Sequence, residues 1–358
     1  MQPGESSTQN VVGPLTSAAI FLVVSVPSLA MGSPRRAAGR RAARHGGSGR
    51  SDAASSAASG STAGGGGGSA PGRIPQGVVD TLAGIEDLVK TVGFRNPGAR
   101  LSCTVGIGAT AWRAMRGDDP GAAPAELHPF KEFVGEVHAA RATPGDLLFH
   151  IRADRQDLAY EFERLLLGAL GTDVRVEDEV SGFRYFDGRD LLGFVDGTAN
   201  PVGPDLPVSA LIGDEDPGFA GGSYVVVQKY LHNLDAWGGL TVEDQEAVIG
   251  RTKSDNVELP DAESGQRSHK TLATITDAEG VEHDIVRDNM PFATPGSGIH
   301  GTYFIGYSRR LTVIEQMLER MFIGDPPGKY DRILDFSTAA TGSTYFVPTA
   351  AMLAGLGG

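Results

Sequence analysis

A strand-then-helix unit occurs twice in this chain, and the second copy keeps the apolar spacing of the first. Leu158, Phe162, Leu165, Leu166 and Gly168 fall on Ile314, Leu318, Met321, Phe322 and Gly324 at one constant offset. The apolar positions lie three and four apart, as on one face of a helix. Each helix follows a strand-like run, over 146–151 in the first copy and 302–307 in the second. A duplicated unit implies two related halves that bury their apolar faces on one another. We read each half as a split βαβ, ferredoxin-like unit, so the expected fold class is α+β.

The other elements fit that plan. Val79, Leu82, Ile85 and Val89 recur at helical spacing, and strands are expected over 101–107 and 174–180. The second half offers a strand over 224–229 and a helix over 242–249. Thr241 is its N-cap, and Asp244 lies in its first turn. Residues 17–30 invite two readings. Ser28-Leu29-Ala30 suits a signal cleavage site, but the preceding segment has no Lys or Arg and carries Glu5, where a signal needs positive charge. The run is also too short to span a bilayer. Its β-branched and aromatic residues from Ile20 to Val26 read instead as a buried strand.

Composition breaks sharply over 33–75, a Gly, Ser, Ala and Arg tract with five consecutive glycines at 64–68. Such a tract has nothing to bury and is expected to be a disordered insertion. It holds seven Arg and one Asp, whereas the rest of the chain has a net charge of −19, and the whole chain −13. An acidic body argues against nucleic-acid binding, which needs a basic face. Cys103 is the only cysteine, so no intrachain disulfide forms, which fits a reducing compartment. The expected divisions are an N-terminal segment over 1–32, the insertion over 33–75, halves over 76–190 and 191–350, and a short tail over 351–358.

No P-loop, no GxSxG and no zinc-type Cys or His pairing is present. His128, His138, His150, His232, His283 and His300 have no clear companions. Three places stand out. Gly193-Phe194-Val195-Asp196-Gly197-Thr198-Ala199-Asn200-Pro201 sets one carboxylate between glycines in an apolar frame. His269 sits between a polar loop and the apolar-rich 272–275. Arg287 and Asn289 lie two apart, and in extended chain positions i and i+2 point the same way, so both can face one cavity.

In this order and setting, Gly-x-x-Asp-Gly at 193–197, His269 and Arg287 resemble the signature of the dye-decolorising peroxidases, especially the compact bacterial type. The likeness extends to Gly182-Phe183-Arg184-Tyr185-Phe186-Asp187, Ile249-Gly250-Arg251-Thr252-Lys253, 301–307 and 330–336. It covers about 78–350 and the first strand. It implies two ferredoxin-like halves forming a dimeric-α/β-barrel-type heme peroxidase fold, with heme b (iron protoporphyrin IX) in the second half.

The resemblance makes His269 the proximal ligand of the heme iron, its basicity raised by a carboxylate, with Asp331 preferred and Asp335 as the alternative. Asp196 becomes the proton carrier for hydrogen peroxide, Arg287 the stabiliser of developing negative charge, and Asn289 an orienting amide. Arg251 is the candidate partner for a heme propionate. Trp112, Trp237 and Tyr303 are candidate electron stations to a phenolic or dye-like reductant. An Asp in the place that other heme peroxidases give to His titrates lower, so an acidic pH optimum is expected. Ala199 stands where many relatives carry Glu, which weakens any expectation of manganese oxidation.

No membrane partner is expected. A cytoplasmic homo-oligomer is, because ferredoxin-like sheets often pair. Some relatives end in a tail that docks inside an encapsulin shell. The ending at 351–358 is read either as ordinary fraying or as a minimal version of that tail. A heme-binding or iron-release protein with incidental peroxidase activity is the alternative function, and a heme-free binding scaffold a third.

Overall fold

The computed structural model describes residues 8–30, 72–117, 119, 121–262 and 265–357. The expected insertion over 33–75 falls almost wholly outside these residues.

Among the described residues, one antiparallel sheet of ten strands organises the molecule. Its main path runs Val286–Arg287, Ile299–Ser308, Ser223–His232, Ser343–Val347, Ser102–Ile107, Leu147–Ala153, Ala18–Ser25 and Arg175–Phe183. Met290–Thr294 also pairs with Ile299–Ser308, and Ser337–Ala339 with Ser223–His232. The first half contributes the last four strands of that path. The second half contributes the others, and the two meet where Phe346 pairs with Ile107.

The sheet curls until its ends approach. Met290–Thr294 packs against Arg175–Phe183. Gly182 permits the contact, because a Cβ there would fall 2.6 Å from the Met290 Cβ. Strand alternation then sorts side chains to the two sides. Phe21, Val23, Leu148, Val227, Tyr303, Ile305 and Tyr345 fill the inside. Leu22, Val24, Phe149, Val226 and Phe346 face outward and are covered by helices. Ala18–Ser25 is buried along its whole length, which explains why its sequence is an unbroken apolar run rather than an alternating one.

The two repeated helices are Gln156–Leu170 and Leu311–Phe322, burying Phe162 and Leu166 in one and Ile314, Leu318 and Phe322 in the other. Each fully buried side chain of this size contributes on the order of 1.5–3 kcal/mol. The helix expected around Val79 to Val89 is two helices, Gln76–Ala83 and Ile85–Gly93, separated at Gly84. Val242–Ile249 is helical as expected, and Thr241 caps it by accepting the Asp244 N–H. Strand Ser343–Val347, which joins the halves, was not anticipated.

The C-terminal segment is not frayed. Thr349 caps helix Ala350–Ala354, Leu353 is buried, and the segment packs on Gln76–Ala83. No helix among the described residues is long and apolar enough to cross a membrane.

Candidate active site

The loop carrying Asp196 is built from two successive turns. Gly193 and Gly197 both take positive φ, 94° and 72°, a region other residues rarely occupy. Asp190 accepts the Phe194 N–H through Oδ1 at 3.0 Å, and the Asp196 N–H donates to the Gly188 carbonyl at 2.9 Å. Leu192 and Phe194 anchor the loop in a small core with Trp237 and Ile249.

Asn200 ties this loop to the next segment. Its Oδ1 accepts the Arg287 N–H at 2.9 Å, and its Nδ2 donates to the Arg287 carbonyl at 2.6 Å. Asn289 is held just as firmly. Its Oδ1 accepts the Ile305 N–H at 3.0 Å, which leaves Nδ2 to donate to Asp196 Oδ1 at 3.2 Å. The backbone donor thus fixes which way the amide points.

Asp196, Arg287 and Asn289 line one cavity together with His269. Arg287 Nε is buried there and has no hydrogen-bond partner among the described residues. Burial lowers the Arg287 pKa against the opposing pull of Asp196. Apolar walls come from Ile285, Phe304, Met317, Leu318, Met321 and Ile333. An adjoining cavity shares Asp196, His269 and Arg287 and reaches Arg251.

His269 begins the short helix His269–Ala273, capped by Ser268. Its Nδ1 lies 2.6 Å from Asp331 Oδ2. Asp331 is fully buried, and its other oxygen accepts the Ile333 N–H at 3.1 Å. Burial pulls the His269 pKa down, but the charge and hydrogen bond of Asp331 more than offset it, so the net direction is up. With Nδ1 engaged, Nε2 is left free, and His269 lines both cavities. Asp335 is turned elsewhere, bonded to His138, Tyr330 and Arg332.

Arg251 reaches the second cavity, with its guanidinium already shared between Asn256 and Glu258. The three aromatic residues expected as electron stations do not reach the surface. Trp112, Trp237 and Tyr303 are at most 3% exposed, because each fills a core.

Several cavity residues went unread. Asp190 lines it, its pKa pushed up to about 7 by burial, with the charge of Asp196 adding. His232 and Gln228 also line it, and burial brings the His232 pKa down to about 4. Gln228 and His232 have no sequence signal beyond strand alternation, and Asp190, in a loop, has none.

Family models for the N-terminal and C-terminal parts of Dyp-type peroxidases match residues 8–184 and 187–352. The chain belongs to the Dyp-type peroxidase family. It is similar to a dye-decolorizing peroxidase of Rhodococcus erythropolis strain PR4, at 54% identity over 278 residues, 78% of this chain and 81% of that one. It is also similar to a variant of DypB from Rhodococcus jostii RHA1 in complex with heme. There the identity is 47%, the TM-score 0.81, and 99% of each chain is covered. The encapsulated DyP-type peroxidase from Mycobacterium smegmatis, seen by cryo-EM, is 45% identical, with a TM-score of 0.80 and 98% of each chain covered. This Dyp-type peroxidase is therefore a heme enzyme, an oxidoreductase that uses hydrogen peroxide to oxidise dye-like donors. Its cavity fits the cofactor: apolar walls, a free imidazole nitrogen and a guanidinium whose buried Nε has no hydrogen-bond partner among the described residues.

Proposed function

We propose that His269 binds the heme iron through Nε2, and that Asp196, Arg287 and Asn289 act on peroxide at the same cofactor. When bound, heme supplies the iron at which the peroxide O–O bond is cleaved. The observation that carries this reading is that His269, its Nδ1 bonded to Asp331, shares one cavity with Asp196 and Arg287.

Asp331 holds the imidazole in one tautomer and makes Nε2 a stronger donor. Asp196 takes a proton from one peroxide oxygen and delivers it to the other. The Arg287 guanidinium stabilises the charge that develops as the bond breaks. Asn289 acts through Asp196, since its Nδ2 already donates to that carboxylate. Arg251 meets a heme propionate by exchanging its exposed Glu258 contact for it.

The test is the absorption spectrum of heme-loaded protein before and after one equivalent of hydrogen peroxide. Wild type shifts its Soret band within seconds. Arg287→Ala and Asp196→Asn keep heme but shift at least a hundredfold more slowly, by roughly the loss expected for one charge-stabilising donor. His269→Ala loses the Soret band. An unchanged rate in Arg287→Ala would overturn the assignment.

We further propose a cytoplasmic homo-oligomer packaged in an encapsulin shell, supported by the likeness to the encapsulated Mycobacterium smegmatis protein. Coexpression with an encapsulin and sedimentation of the shells tests this. Peroxidase left entirely in the soluble fraction counts against it.

A further inference from the structure

Asp288 lies between the two cavity residues Arg287 and Asn289, and alternation turns it the other way. It points into the barrel interior, where it is 2% exposed. Two guanidiniums meet it there. Arg152 Nη1 is 3.1 Å from Oδ2, and Arg184 Nη2 is 3.6 Å from Oδ1. His150 Nε2 stands 3.9 Å from Oδ2, while its Nδ1 is 2.8 Å from the Tyr307 hydroxyl. Arg152 also donates to the Asn10 carbonyl.

All of these partners except Tyr307 belong to the first half of the chain. Apart from Asp190 at its very end, that half lines neither cavity. Arg152 and Arg184 of the first half therefore do not reach the cavity, yet they grip the residue next to Arg287 on one side and Asn289 on the other. A buried carboxylate is costly unless compensated, and here compensation exists at one place, between Arg152 and Arg184. Sliding or rotating the 287–289 segment would strip the carboxylate of both cations. The segment consequently has a single favourable placement relative to the sheet.

We propose that Asp288 is a positioning residue through which Arg152 and Arg184 set the placement of Arg287 and Asn289 in the heme cavity. This rests on the roles given above to Arg287 and Asn289. It gives the first half of the chain a part in peroxide cleavage without any contact with peroxide.

The test is a mutant cycle read as the stopped-flow rate of peroxide reaction with heme-loaded protein. Asp288→Asn removes the charge and keeps the shape. We expect its rate to fall about tenfold or more, with heme content retained, because small misplacements of catalytic groups have effects of that order. In a background carrying Arg287→Ala and Asn289→Ala, the same change should alter the rate less than about twofold, since the groups it places are gone. A purely structural role would instead slow both backgrounds by the same factor, and that result would overturn the inference, as would a wild-type rate in Asp288→Asn. Should Asp288→Asn fail to fold, Arg184→Gln at the more accessible end of the clamp replaces it in the same cycle. A wild-type rate in Arg287→Ala alone is a separate outcome. It removes the role of Arg287 itself, and this inference with it.

Discussion

The side chain of Asn200 holds both backbone polar groups of Arg287, accepting its N–H at 2.9 Å and donating to its carbonyl at 2.6 Å. The pair is 87 residues apart in sequence. It joins the glycine-rich loop of Asp196 to the segment of Arg287, so the carboxylate and the guanidinium share a frame that does not depend on their own contacts.

Removing that link should separate the two. Asn200→Ala leaves the Arg287 N–H and carbonyl without these partners, at a cost of about 1–3 kcal/mol. Denaturant unfolding should show that loss. The peroxide reaction should slow about tenfold, by misplacement rather than by loss of a reacting group. Unaltered kinetics in a correctly destabilised variant would show that the link serves the fold alone.

The His269 and Asp331 pair predicts a selective effect. Asp331→Ala removes the acceptor on Nδ1, and heme affinity or turnover should fall by about 10–100-fold. Asp335→Ala breaks contacts to His138, Tyr330 and Arg332 and should leave the Soret band in place. Heme titration of both variants checks the contrast. Equal losses would argue that neither carboxylate acts through the histidine.

Asp190 predicts a pH dependence of stability. Burial, and next the charge of Asp196, raise its pKa from 3.8 to about 7 in the folded chain. The folded state therefore holds a proton that the unfolded state releases. The contribution is full below about pH 4 and is lost as pH rises toward 7. Melting temperatures of heme-free protein across that window should fall more steeply in wild type than in Asp190→Asn. Parallel curves would place the ionisation elsewhere.

Closure of the sheet predicts a cost at Gly182. A methyl there meets Met290 at 2.6 Å, next to Asn289. Gly182→Ala should destabilise by about 1–3 kcal/mol, as overpacking does. Calorimetry measures this directly, and a neutral substitution would mean that the ends of the sheet are free to part.

Much of this architecture was legible because burial leaves an alternating or unbroken apolar record. Ile20 to Val26 could be read as a covered strand, and the spacing of Leu158, Phe162 and Leu166 as a helix face. Ser343–Val347 escaped because Ser343 and Thr344, both buried, lie beside Tyr345 and Phe346, so no two-fold pattern marks it. The i and i+2 argument placed Arg287 and Asn289 on one cavity. The same alternation turns Asp288 to the opposite face, where the cations that meet it are more than a hundred residues away in sequence. His150 was grouped with the scattered histidines, and only the fold brings it to Tyr307 and Asp288. Asp331 and Asp335 are equally acidic in sequence. A backbone N–H two residues on, from Ile333, fixes the first of them for His269.

The position of Ala18–Ser25 has a consequence for biosynthesis. It is made before both of its neighbours, since in the sheet it lies between Leu147–Ala153 and Arg175–Phe183. Until residue 153 has emerged, this largely apolar strand has neither neighbour to pair with, and until residue 183 has emerged it lacks one of the two. Pairings this distant along the chain are slow to form, and exposed strand edges invite association with other chains. Nascent chains of this peroxidase therefore carry an adhesive segment until both later strands have been made, the interval in which a holdase would matter most.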